Sequence, residues 1–151
     1  MSTATTATTT DNPLLQDWDT PYGLPPFAQL RPEHFEPALR AAMREHLDEL
    51  AAIAGNAEAP DFDNTVAAFD RAGRRLDRIA ATFYTLTASA TSPALQAVQR
   101  EVAAPMAAHG SAVYLDAALF ARIDALHAQR ESLALTPEQR RLLERIHLDF
   151  V

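Results

Sequence analysis

Cysteine is absent from the 151 residues, and all 13 basic residues are arginine, with no lysine. The lack of cysteine excludes disulfides and thiolate metal sites, and it fits a reducing, cytoplasmic setting. Only four glycines are present, too few and too scattered for the G-x-G-x-x-G or Walker loops that cradle phosphates. Aromatics make up 7%, so a core has to rest on Leu, Ile, Val and a few Phe. The start has no basic region followed by an apolar stretch, and no run approaches the roughly 20 apolar residues that span a bilayer. Neither a signal peptide nor a membrane helix is expected. A net charge of −7 with no basic run argues against nucleic acid and anionic membrane as partners.

What is present reads as one ordinary domain. Hydrophobic residues reach 48%, much of it alanine, which favours helix but buries little area. Residues 1–11 form a Thr/Ala-rich tail of the composition that stays disordered. From Asn12 to Pro26 the chain is Pro-rich; an extended, non-helical lead-in is expected, with Leu14, Leu15, Trp18 and Phe27 laid across the body. Five helices follow, so the fold class is all-α, a helical bundle. The first runs from Pro32 or Pro37 to Ala54, with Phe35, Leu39, Met43, Leu47, Leu50 and Ile53 at steps of three and four. Asp61 caps a second, in which Phe62, Val66, Phe69, Gly73, Leu76, Ile79, Phe83 and Leu86 form one unbroken stripe, with Gly73 a point of close approach. Ser92-Pro93 opens a third, kinked at Pro105, with Leu95, Val98 and Val102 inward. Asp116 caps a fourth carrying Leu119, Phe120, Ile123 and Leu126. The Thr136-Pro137-Glu138-Gln139 capping box opens a fifth through Leu142, Leu143, Ile146 and Phe150. That helix has no stop signal before Val151, as in a chain cut in mid-pattern.

Chemistry is sparse. The five histidines are His34, His46, His109, His127 and His147. A zincin needs H-E-x-x-H on one helix, which sets two imidazoles and a glutamate base on one face. Here no histidine precedes a glutamate and no two are four apart. Glu144-x-x-His147 has the spacing of di-iron bundle ligands, but such sites need two pairs and two more carboxylates. That pair reads as a solvated helix face, as does His46 with Glu49. No serine lies in a G-x-S-x-G elbow, and Ser92 is better explained as a cap. Arg74-Arg75 and Arg140-Arg141 read as exposed faces offset by nearby Asp and Glu. No catalytic, cofactor-binding or metal position is assigned.

The order of segments nonetheless resembles the N-terminal region of bacterial peptidyl-dipeptidases (dipeptidyl carboxypeptidases), in the thimet-oligopeptidase-like zinc metallopeptidase family. The matching pieces begin with Asn12-Pro13-Leu14-Leu15, Leu24-Pro25-Pro26-Phe27 and Pro32-Glu33-His34-Phe35-Glu36-Pro37-Ala38. Pro60-Asp61-Phe62-Asp63-Asn64-Thr65-Val66, Ala72-Gly73 and Phe83 through Ala88 continue the series. It closes with Leu119-Phe120-Ala121-Arg122-Ile123, Arg130-Glu131-Ser132-Leu133 and Ile146 through Val151. Their number and order carry the likeness. It implies that residues 12–151 are a non-catalytic helical lobe of a longer enzyme that walls the channel for short peptides, its zinc held by a later part. The implied partners are that catalytic part and, for the whole enzyme, peptides; this chain alone is expected to be inactive. Two other readings stand beside it: a free-standing helical interaction module, and an independent small-molecule or metal-binding bundle.

Overall fold

A computed structural model describes residues 11–151, and among them every regular element is helical. Apart from Asp11, the expected tail lies outside the described residues. Among the described residues six α-helices occur: α1 (Pro32–Ala54), α2 (Ala68–Arg71), α3 (Arg74–Ser89), α4 (Pro93–Tyr114), α5 (Ala117–Ala128) and α6 (Pro137–Phe150). The chain divides into two compact units. One runs to Arg44 and resumes over Arg74–Met106; the other comprises Glu45–Gly73 and Ala107–Val151. Thus α1 and α4 each contribute residues to both.

The first unit gathers Leu14, Phe35, Leu39, Met43, Leu76, Ile79, Phe83, Leu95 and Val102 into one core. Phe35 and Phe83, both essentially buried, meet with ring centroids 5.1 Å apart. Each fully buried side chain of this size contributes about 1.5–3 kcal/mol. The lead-in joins through Leu14, which is fully buried. Asn12 secures it: its Oδ1 accepts from Leu14 N at 3.1 Å, and its Nδ2 donates to His34 O at 2.7 Å. Trp18 donates from Nε1 to Pro13 O, and the Arg78 guanidinium sits 4.1 Å from its ring centre, a cation–π contact.

Contrary to expectation, the lead-in is not wholly extended. Single 3₁₀ turns form at Pro13–Leu15, Pro21–Gly23 and Phe27–Gln29. In the first two, proline occupies the opening position, where no amide donor is needed. Nor does all of it pack: Tyr22, Leu24 and Phe27 are exposed.

The second unit has its own core of Leu50, Ile53, Val66, Val113, Leu119, Ile123, Leu126, Leu143 and Ile146. Phe150 collects an aromatic set, with Phe69 at 5.7 Å, Tyr114 at 5.1 Å and Phe120 at 5.8 Å between centroids. Local capping is as the sequence predicts. Asp61 and Asn64 exchange side-chain-to-backbone bonds, as do Thr136 and Gln139. Asp116 Oδ1 accepts from the amides of Ala118 and Leu119, and Ser92 Oγ from Leu95. α4 continues through Pro105 without ending.

The expected second helix is broken. Its first turn, Phe62–Ala67, is wound as a π-helix that runs straight into the four-residue α2. Ala72 then turns extended (ψ 148°) and Gly73 takes the left-handed region (φ 77°) before α3 begins. The apolar stripe is shared as a result: Phe62, Val66 and Phe69 serve the second core, and Leu76, Ile79, Phe83 and Leu86 the first.

Candidate functional site

The polar groups that fold together lie mainly in the second unit, in three clusters. The first surrounds Gly73. Its amide donates to Glu49 Oε2 at 2.7 Å, and the His46 ring lies so close to its Cα that a Cβ there would meet three ring atoms at 3.0 Å. His46 Nδ1 is 3.0 Å from His109 Nε2, a pair in which one nitrogen donates and the other accepts. His109 is buried, and its Nδ1 has no hydrogen-bond partner. Burial, and next the neighbouring His46, holds its pKa below the ordinary 6.5. The close approach expected at Gly73 is therefore real, and His46 and Glu49 are not simply a solvated face.

Arg122 organises the second cluster, a role that sequence reading missed. Its Nη1 donates to the carbonyls of Asn56 (2.9 Å) and Glu58 (3.0 Å), and its Nη2 to Asn64 Oδ1 (3.1 Å). Asn64 also donates to Ala59 O while capping the π-wound turn. One guanidinium thus ties α5 to the whole segment from Asn56 to Asn64. Its residue neighbours, Leu119 through Ile123, and the stretch from Pro60 to Val66 are two of the pieces that carry the family likeness, and here they meet.

The third cluster joins α5 to α6. His147 stacks on His127 with centroids 3.8 Å apart and planes 9° from parallel. Its Nε2 lies 2.9 Å from Asp124 Oδ1. Glu144, the partner suggested by spacing, instead faces Arg130, with Nε to Oε1 at 4.0 Å. His147 is therefore packed between helices rather than solvated. The His127 pKa is lowered by burial first, then by His147 and Arg130, against the opposing pull of Asp124 and Glu144. His34 accepts from Arg31 N at the start of α1 and takes no part in any cluster.

None of these groups forms the two-histidine, one-glutamate face of a zincin helix, and the motif does not occur in the sequence. No helix among the described residues is long and apolar enough to cross a membrane.

No family model matches the chain. Two characterised proteins do. A dipeptidyl carboxypeptidase of Escherichia coli (strain K12) is 41% identical over 143 residues, 95% of this chain and 21% of the relative. A dipeptidyl carboxypeptidase of Salmonella typhimurium (strain LT2) is 39% identical over 140 residues, 93% of this chain and 21% of the relative. The resemblance seen in the ordered segments is borne out: the chain is related to the dipeptidyl carboxypeptidases and spans about a fifth of their length.

Proposed function

We propose that these residues are the non-catalytic N-terminal helical lobe of a peptidyl-dipeptidase, an enzyme releasing dipeptides from the C-termini of short peptides. The 41% identity over 143 residues carries this reading, because it extends across nearly the whole chain yet covers a fifth of the relative. The lobe's part is to wall and narrow the peptide channel, and hydrolysis belongs to the remainder of the enzyme. Zinc, the metal of this family, would be held there: the histidines of this chain are spread over α1, α4, α5 and α6 and none opens an H-E-x-x-H run, so they do not fit the peptidase centre. Exposed large apolar side chains support a larger assembly, among them Tyr22, Leu24 and Phe27 in the first unit and Leu115 and Leu148 in the second. Apolar surface of this kind is commonly covered by other protein.

The test is to assay dipeptide release from short peptides with the 151-residue chain, with a peptidyl-dipeptidase lacking the corresponding segment, and with the two mixed, each with Zn²⁺. No release is expected from the chain alone, and mixing should restore activity to the shortened enzyme. Release by the purified chain alone, or full activity and unchanged peptide-length selection in the shortened enzyme, would refute the proposal. In the second case a free-standing interaction module becomes the better reading.

A further inference from the structure

Asp124 and His127 stand one helical turn apart on α5, which places them on one face, and His147 reaches them from α6. One nitrogen from each imidazole and one Asp124 oxygen all lie within 4.8 Å of one another. Among the described residues no other trio of His, Asp or Glu has this spacing. Zinc takes nitrogen and oxygen donors at about 2.0–2.2 Å, so donors on one ion are separated by at most about 4.4 Å. The donors therefore have to move inward to share one ion.

We propose that Asp124, His127 and His147 form a binding site for one divalent transition-metal ion of the zinc type, its remaining positions filled by water. Two imidazoles and a carboxylate are a borderline donor set suited to Zn²⁺, Co²⁺ or Ni²⁺ rather than to Mg²⁺ or Ca²⁺. Access is from the Asp124 side, whose side chain is 58% exposed. Arg130 is a neighbouring cation that opposes a metal. It is turned elsewhere, with Nη1 donating to His127 O at 2.8 Å and Nε within 4.0 Å of Glu144 and 3.8 Å of Glu131. In the present stack the two ring planes are parallel, so their in-plane lone pairs do not converge. Metal binding must therefore swing the rings out of the stack, a rotation about χ2, which is soft in histidine. This site stands independently of the proposed peptidase role.

Calorimetric titration of the untagged chain with Zn²⁺ is the test, alongside His127→Gln, His147→Gln, Asp124→Asn and, as a control, His34→Gln. One Zn²⁺ per chain is expected for the parent and for His34→Gln. Each of the other three should bind about tenfold more weakly or worse, a loss that even outer-shell changes produce. In parallel, Zn²⁺ should raise the melting temperature of the parent and not of the histidine variants, and the ring protons of both histidines should shift on binding. Absence of stoichiometric binding, or binding unchanged in both histidine variants, overturns the proposal.

Discussion

Replacing Gly73 by alanine tests the reasoning about the broken second helix most directly. Two costs add at this position. The left-handed backbone at φ 77° charges any residue with a Cβ about 1–2 kcal/mol. The new methyl would also meet Cγ, Cδ2 and Cε1 of His46 at 3.0 Å. That ring is held by its bond to His109, and overpacking of this kind costs about 1–3 kcal/mol. Gly73→Ala should therefore lose about 2–5 kcal/mol, a large share of a typical total of about 5–15 kcal/mol. In a His46→Ala background the steric part disappears and only about 1–2 kcal/mol should remain, a coupling that a double-mutant cycle isolates. Urea unfolding followed by far-ultraviolet circular dichroism measures all four proteins. If Gly73→Ala lies within about 0.5 kcal/mol of the parent, the conformational argument fails. Equal costs in the two backgrounds would show that the His46 ring is not what the methyl strikes.

Two further outcomes follow from the second unit. Arg122→Ala should cost about 1.5–3 kcal/mol, the range for a charged hydrogen bond to partly buried acceptors, and should raise amide exchange selectively between Asn56 and Asn64; uniform exchange would refute the clamp. Stability should also fall on acidification. His109 has its pKa lowered in the fold, so the folded state binds fewer protons than the unfolded one below about pH 6.5. Its contribution is complete above about pH 6.5 and is lost as pH drops below that value toward the depressed pKa. His127 has the same sign. His109→Gln should flatten the decline between about pH 6.5 and 5, and an unchanged slope would exclude His109 as a source.

The sequence revealed much of the fold because much of it is decided locally. Asp61, Ser92, Asp116 and Thr136 each satisfy amides two or three residues away, so their roles can be read without knowing any tertiary contact. The break at Ala72–Gly73 was hidden for the opposite reason. The apolar period carries on through it, and only the His46 ring and the Glu49 carboxylate, 24 or more residues earlier, explain why the chain turns there. The candidate metal cluster shows the same divide. Asp124 and His127 are one turn apart in the sequence, but the partner is His147, chosen by how α5 meets α6, whereas the Glu144 spacing proved uninformative. Arg122 gave no local signal at all, since its acceptors, the carbonyls of Asn56 and Glu58 and the Asn64 side chain, lie far away along the chain.

The division of the chain into two units, each assembled from separated stretches, has a consequence for synthesis. The first unit draws nothing from beyond Met106, so its core can close while later residues are still being added. Leu50, Ile53 and Val66, by contrast, emerge early but find their partners only when Val113 through Ile146 arrive. At about 5–20 residues per second, the 45 residues from Ala107 to Val151 leave these three core side chains waiting for roughly 2–9 s. During that interval the nascent chain presents unpaired apolar surface, a window in which a chaperone would have something to hold.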